Sequence, residues 1–174
     1  MLIIQLTGLS GCGKTTLSNK IKPLFAAQNI NIEILDGDQY RKTLCKDLGF
    51  SKSDRLENIR RLGGLAASLV AQYNAIIIAA INPYEEARAE LKFKHNAKTV
   101  WINCELESLI SRDTKGLYKR ALLPDEDPDK IFNLTGVNDC YETPLNYDFK
   151  LDTHLESIDE SAAKLYQFVK DQLK

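Results

Sequence analysis

A glycine-rich stretch, GLSGCGKTT at residues 8–16, directly follows the apolar run LIIQLT at residues 2–7. Its first eight residues fit the pattern G-x-x-x-x-G-K-[ST], and the glycines let the backbone wrap so that successive N–H groups surround an anion. A helix after the stretch would add the positive end of its dipole. An apolar strand, this turn and a helix in that order predict a phosphate-binding loop.

The side chains of this loop have expected tasks. Lys14 is placed to reach the β and γ phosphates of a nucleoside triphosphate, and the Thr15 hydroxyl is placed to ligate Mg²⁺. Cys12 occupies a free position of the motif, where we interpret it as a small filler. The predicted nucleotide-binding residues are Gly8, Leu9, Ser10, Gly11, Cys12, Gly13, Lys14, Thr15 and Thr16.

Short apolar runs alternate along the chain with longer amphipathic segments. The run AIIIAAI is apolar at every position, as in a strand covered on both faces of a parallel sheet. Helical spacing of apolar residues follows Ser51, a predicted N-cap, as far as Tyr73, and it recurs from Leu155 to Val169. This alternation predicts an α/β three-layer sandwich of the P-loop NTPase type, with helices on both faces of a mostly parallel five-stranded sheet. The predicted strands are 2–7, 32–35, 75–81, 99–104 and 148–153.

Composition narrows the class of protein. The length of 174 residues fits a single domain, 1–174, and the net charge of −1 gives no bulk basicity for nucleic acid or anionic membranes. The four cysteines lack metal-type spacing, which favours reduced thiols in the cytoplasm. The N-terminal apolar run is only six residues long and has no basic segment before it, so we do not expect it to be a signal peptide. No apolar run approaches the roughly 20 residues of a membrane span. We expect a cytoplasmic protein that binds small molecules.

The segment 114–147 breaks the alternating pattern. It contains three of the five prolines, mixed charges and little regular periodicity. More than thirty irregular residues inside a compact domain are typical of disorder or of a functional lid. Its aromatic residues and lysines favour a mobile lid.

A second group of polar residues follows the second predicted strand. Asp36 and Asp38 fall at the carboxyl edge of that strand, where open parallel sheets bind ligands. Two carboxylates beside a phosphate-binding loop can hold Mg²⁺ or accept a proton from an attacking hydroxyl, although an Asp-Gly turn in solvent explains one of them equally well. Arg55 and Asn58 share a helix face, which can contact a phosphate and a base or can be an ordinary polar surface.

Six segments occur in the order found in adenylyl-sulfate (APS) kinases, and the chain resembles that family over about residues 2–152. The segments are GLSGCGKTT, LDGDQYR, DLGFSKSDRLENIRR, INPYEEAR, RDTKGLYKRA and LTGVNDCYETP. The resemblance implies transfer of a phosphoryl group from MgATP to the ribose 3′-hydroxyl of a nucleotide, which is adenylyl sulfate in the usual case. It also implies a homodimer, since kinases of this family are often dimers.

The resemblance carries residue roles with it. Asp38 resembles the base that takes the hydroxyl proton, with Asp36 supporting it and helping Thr15 to hold the metal. Lys115 resembles the lid residue that neutralises charge on the transferring group, together with Lys14. The residues that resemble contacts to the acceptor nucleotide are Arg41, Phe50, Arg55, Asn58, Ile81 and Leu134.

The chain departs from the family pattern in three places, and two of them, Leu134 and the lid, lie on the side of the acceptor base. Leu134 stands where a phenylalanine would complete an aromatic clamp with Phe50, and losing one stacked face costs about 1–3 kcal/mol. Asn82 stands where the family commonly has serine, so a phosphoserine intermediate is excluded. The lid also contains the longer stretch LLPDEDPDKIF.

These departures leave alternatives open. A related branch phosphorylates cytidine diphosphoramidate during capsule synthesis, and a smaller base would suit a narrower aliphatic clamp. A kinase of a small metabolite such as a sugar acid would not need Phe50 or Asn58. A nucleotide-dependent switch without acceptor chemistry would not need Asp38. We also interpret Glu85, Glu86 and Arg88 as a solvated helix start.

Overall fold

The computed structural model describes residues 2–174, which form one five-stranded sheet with helices packed against it. Every pairing in the sheet is parallel, with the strand order β2-β3-β1-β4-β5. The predicted sandwich is therefore confirmed. The strands are β1 Leu2–Thr7, β2 Ile32–Asp36, β3 Ala75–Ala79, β4 Lys98–Asn103 and β5 Phe149–Asp152.

The helices alternate with these strands along the chain. Ser51 caps α3, since its hydroxyl accepts a hydrogen bond from the backbone N–H of Asp54. The predicted periodicity extends too far at two points, because α3 ends before Tyr73 and because a reciprocal Ser157–Glu160 capping box starts α7 after Leu155. The helices are α1 Lys14–Ala26, α2 Gly37–Tyr40, α3 Lys52–Leu69, α4 Glu85–His95, α5 Leu106–Arg112, α6 Leu117–Ala121 and α7 Ile158–Gln172.

Two apolar clusters cover the sheet, one on each face. Because successive side chains of a strand point to opposite faces, Ile77 joins one cluster and its neighbours Ile76 and Ile78 join the other. The first cluster includes residues of α1 and α7, and the second includes residues of α3 and α4. The phosphate-binding loop is thus held between a fully buried strand, β1, and α1. Within residues 2–174 we find no helix with the length and apolar character needed to cross a bilayer.

The predicted lid segment, 114–147, is largely irregular and lies against the domain. It contains the short helix α6 and an isolated bridge between Thr135 and Asp139. Tyr118 and Leu134 are buried in the cluster that also contains residues of α1. Its mobility stays a prediction.

Arg88 corrects the interpretation of a solvated helix start, because its side chain is only 1 % exposed. It donates hydrogen bonds to the carbonyl oxygens of Asn82 (2.9 Å) and Glu142 (2.7 Å), and it pairs with Glu85. This arginine therefore connects the loop after β3 to the end of the lid. A contact with a residue 54 positions away gives no local signal in the sequence.

Gly8 of the phosphate-binding loop lies close to the backbone of β4. A Cβ atom at this position would lie 2.3 Å from the carbonyl oxygen of Ile102, and the φ angle of 155° also disfavours a side chain. We expect Gly8→Ala to lower the free energy of unfolding by about 1–3 kcal/mol, measured by thermal and urea denaturation.

Gly64→Ala is the matched control for that measurement. Gly64 lies inside α3, and a Cβ atom there would meet nothing within 4 Å. Alanine at an exposed helix position is expected to raise stability by about 0.5–1 kcal/mol. Equal stability of the Gly8→Ala variant and the unmodified protein would contradict the close approach described above.

Candidate active site

A cavity of about 290 Å³ opens at the carboxyl edge of the sheet, beside the phosphate-binding loop. The loop and the start of α1 form one wall, and the ends of β2 and β3 with the beginning of the lid form others. The lining residues are Ser10, Gly11, Cys12, Gly13, Lys14, Thr15, Thr16, Leu17, Asp36, Asp38, Ala79, Ala80, Ile81, Arg112, Thr114, Lys115, Thr153, Glu156, Ile158 and Ser161.

The phosphate-binding loop has the backbone form that its motif predicts. Gly13, at the N-cap of α1, has a φ of 104°, a left-handed conformation that glycine adopts without strain. The Lys14 ammonium group donates hydrogen bonds to the carbonyl oxygens of Gly8 and Leu9, both at 2.8 Å. The lysine is 9 % exposed, so its charge is held at the floor of the cavity where an anion would bind.

Thr15 and Asp36 bring two oxygen atoms together beside that lysine. The Thr15 hydroxyl donates to Asp36 Oδ2 at 2.6 Å, while Asp36 Oδ1 accepts the backbone N–H groups of Asp38 and Gln39. Hydroxyl and carboxylate oxygens are ligands that Mg²⁺ prefers, with substrate phosphates and water completing its shell. The two side chains therefore fit the predicted metal position.

Asp38 and Lys115 meet across the mouth of the cavity. Lys115 Nζ lies 2.6 Å from Asp38 Oδ2, which joins the start of the lid to the end of β2. Both side chains are more than half exposed, so the pair contributes little to stability. Its effect is electrostatic: burial acts to raise the pKa of Asp38, but Lys115, Lys14 and Arg41 outweigh it and hold that pKa below 3.8.

Arg41 and Phe50 form a second group beyond the cavity lining. The Arg41 guanidinium lies 4.6 Å from the centre of the Phe50 ring and donates to the carbonyl oxygen of Gly49 at 2.7 Å. Phe50 is 49 % exposed, and Arg55 lies over the same ring at 5.4 Å. An exposed ring beside two arginines can stack with the base of a nucleotide while an arginine contacts the phosphates of the same nucleotide.

Arg55 and its neighbours are more buried than a polar helix surface would be. Arg55 Nη2 lies 2.7 Å from the carbonyl oxygen of Asn133 and 2.8 Å from Asp139 Oδ2, so it joins α3 to the lid. Asn58 is 5 % exposed, and its Oδ1 has no hydrogen-bond partner. A buried acceptor without a partner is costly, and a ligand or water would remove that cost.

The predicted site residues are thus divided between two places. The loop residues Ser10–Thr16, Asp36, Asp38, Lys115 and Ile81 line the cavity, while Gly8 and Leu9 supply the carbonyl oxygens beneath Lys14. Leu134 is 6 % exposed and packs in the core, so it offers little surface for stacking in this conformation. The other residues outside the cavity lining are Arg41, Phe50, Arg55 and Asn58.

One end of the cavity is formed by residues that no sequence motif indicated. Thr153 anchors this end, since its hydroxyl contacts the carbonyl oxygen of Cys12 at 3.0 Å and its own carbonyl accepts from Arg112 at 3.4 Å. The available signals were Arg112 and Thr114 in the segment RDTKGLYKRA and the position of the other residues at the end of the fifth strand or just after it. The overlooked lining residues are Arg112, Thr114, Thr153, Glu156, Ile158 and Ser161.

Comparison with known proteins bears on the interpretation of this site. Residues 1–152 match the family model described as adenylylsulphate kinase. The adenylyl-sulfate kinase of Microcystis aeruginosa is 42 % identical over 164 residues, covering 94 % of this chain and 88 % of that one.

Solved structures are similar over nearly the whole chain. The APS kinase of Mycobacterium tuberculosis, in complex with AMPPNP and APS, has a TM-score of 0.88 and 32 % identity, with 97 % of each chain covered. The shikimate kinase of Aquifex aeolicus has a TM-score of 0.56 at 16 % identity, with 98 % of each chain covered. The second likeness shows a shared fold alone.

Proposed function

Because the chain belongs to the adenylylsulphate kinase family, we propose that it transfers the γ-phosphoryl group of ATP to the 3′-hydroxyl of adenylyl sulfate. The product would be 3′-phosphoadenylyl sulfate, with ADP as the second product. The observation that carries the proposal is the 2.6 Å contact between Asp38 and Lys115, at the mouth of the cavity that contains the phosphate-binding loop. This contact supports the roles of Asp38 as the proton acceptor and of Lys115 as the positive charge of the lid.

The proposed step uses these residues in turn. The acceptor hydroxyl takes the place of Lys115 at Asp38, and Asp38 receives its proton as the new O–P bond forms and the β–γ bond of ATP breaks. Lys115, released from Asp38, contacts the transferring phosphoryl group, while Lys14 stabilises charge on the β and γ phosphates. Asp36 holds the backbone of Asp38 in place through the hydrogen bond from its N–H.

We propose that Thr15 and Asp36 hold Mg²⁺, directly or through water. The fit rests on the 2.6 Å contact between their oxygen atoms beside Lys14. A bound Mg²⁺ would neutralise phosphate charge during transfer.

For the acceptor nucleotide, we propose contacts with Arg41, Phe50, Arg55, Asn58 and Ile81. The exposed Phe50 ring supports stacking with the base of the acceptor. The buried Asn58 Oδ1, which has no hydrogen-bond partner, supports a hydrogen bond from the edge of that base. Leu134 is buried, so Phe50 would be the one aromatic wall of the site for the acceptor base. Because such a site would suit a smaller base, cytidine diphosphoramidate is a second candidate for the acceptor. Asn82, which is 2 % exposed, has an amide where a phosphoserine intermediate would need a hydroxyl, so transfer is direct.

The test is incubation of the protein with MgATP and one acceptor at a time. Adenylyl sulfate, its 3′-deoxy analogue and cytidine diphosphoramidate form the three arms, and phosphorus NMR locates the new phosphate. We expect a 3′-phosphate on adenylyl sulfate and no product from the 3′-deoxy analogue. Product from the cytidine compound alone would replace the proposed acceptor, and no product in any arm would contradict the proposed reaction.

We further propose a cytoplasmic location, supported by four free cysteines, of which Cys12, Cys45 and Cys104 are buried as ordinary small side chains. The proposed partners are small nucleotides. A homodimer stays a prediction, and sedimentation of the purified protein measures it.

A further inference from the structure

The cavity has one end that phosphate and acceptor chemistry leave unused. Lys14 and Thr15 mark the phosphate end, and Asp38 and Lys115 mark the acceptor end. The donor nucleotide must extend away from the acceptor, so its base would lie in the remaining part of the cavity. That part is lined by the loop between β5 and α7. This assignment rests on the proposed function, which makes ATP the donor.

Glu156 supplies a fixed carboxylate at that end. Its Oε2 accepts from the Ser161 hydroxyl at 3.0 Å, and its Oε1 lies 3.0 Å from Lys164 Nζ. Ser161 is 1 % exposed and the Glu156 side chain is 17 % exposed, so neither group is free to turn into solvent. The capping box of Ser157 and Glu160 fixes the backbone immediately after Glu156.

Two further side chains suit this end to a flat base. Ile158 lines the cavity and is 57 % exposed, which leaves an apolar surface for a base to cover. Arg112 also lines the cavity, and a planar guanidinium stacks well on aromatic rings. A base lying between an aliphatic side chain and a guanidinium would present its polar edge to the surrounding groups.

A carboxylate paired with a lysine accepts hydrogen bonds and donates none. Adenine carries an amino group at position 6, whereas hypoxanthine and guanine carry a carbonyl oxygen there. We propose that Glu156 selects adenine as the donor base by accepting a hydrogen bond from this amino group. A carbonyl at the same position would face the carboxylate with no proton between the two oxygens, so the carbonyl would lose its hydrogen bonds to water and gain none from Glu156.

The test is calorimetric titration of the full chain with ADP and with IDP in magnesium buffer. IDP has a carbonyl in place of the 6-amino group and a proton on N1, and it adds no 2-amino group, so the change of the ADP to IDP ratio in a Glu156 variant tests the proposed contact. We expect the unmodified protein to bind ADP about tenfold or more tightly than IDP. In Glu156→Gln the ratio should fall to about threefold or less, because the amide still accepts from Ser161 and can donate to a carbonyl.

Lys164→Met is the matched control, since it removes the other partner of Glu156 and keeps the carboxylate; its ADP to IDP ratio should stay unchanged. An unchanged ratio in Glu156→Gln, or equal weakening of both nucleotides with a lowered Tm, would overturn the proposal. The proposal would also be overturned if Lys164→Met lowered the ADP to IDP ratio as much as Glu156→Gln does. The titration contains no acceptor, so a failure to phosphorylate adenylyl sulfate leaves this result independent.

Discussion

Asparagine in place of Asp38 is expected to lower kcat by about 10²–10⁴-fold, the range for loss of a positioned proton acceptor. Asp38 is the carboxylate that lies at the mouth of the cavity in contact with Lys115, and an amide of the same size cannot take up the hydroxyl proton. Binding of ATP should change little, because Lys14 and the backbone of the loop remain. Steady-state kinetics with MgATP and adenylyl sulfate, with calorimetric titration of ATP, measure the two quantities.

Asp125→Asn is the control for this variant. Asp125 is a lid carboxylate that pairs with Lys130 and is 80 % exposed. The same chemical change there should leave kcat within about twofold, as expected for a surface site. An Asp38→Asn enzyme that keeps kcat within a few-fold of the unmodified protein would exclude Asp38 as the proton acceptor and would favour a nucleotide-dependent switch.

Methionine in place of Lys115 is expected to lower kcat by about 10²–10³-fold, because the lid loses the charge that would stabilise the transferring phosphoryl group. A second effect concerns pH. Burial acts to raise the pKa of Asp38, and the hydrogen bond and charge of Lys115 are the largest opposing effects. Without Lys115 the pKa of Asp38 should rise, so the carboxylate becomes protonated at a higher pH than before.

The measurement is the pH profile of kcat/KM. Asp38 must be ionised to accept a proton, so activity is lost as the pH falls through its pKa, and the acid limb of the Lys115→Met profile should lie at higher pH than that of the unmodified protein. Lys119→Met, an exposed lysine on α6, should leave the limb in place. An acid limb that stays where it was, or that moves to lower pH, would refute the coupling of Lys115 to Asp38.

The parts of the site that could be predicted are those whose chemistry is local in the chain. The phosphate-binding loop was predictable because Gly8, Gly13, Lys14 and Thr15 act within eight consecutive residues. Asp36 and Asp38 were predictable as a pair at the sheet edge, because they follow an apolar strand and parallel strands end on the same side. Spacing alone could not decide between a ligand contact and a polar surface for Arg55.

The packing of the lid shows that Arg55 is not part of an ordinary polar surface, because the lid buries its side chain. Arg55 reaches Asn133 and Asp139, which lie in a segment without periodicity, so no pattern indicates that they would bury its guanidinium. Arg88 was misinterpreted for the same reason, since its partner Glu142 lies in the same segment. Glu156 was overlooked because a single glutamate before a capping box carries no motif.

The amino-acid sequence by itself determined the α/β class, the parallel strands and the phosphate-binding loop, because hydrophobic periodicity and glycine conformation act between neighbours in the chain. Only the tertiary structure decided that Lys115 meets Asp38, 77 positions earlier, and that Thr153 closes on Cys12, 141 positions earlier. Such contacts depend on how the sheet order β2-β3-β1-β4-β5 and the lid bring distant segments together. The free energy that selects that arrangement comes from burying both faces of the sheet at once, which no short segment encodes alone.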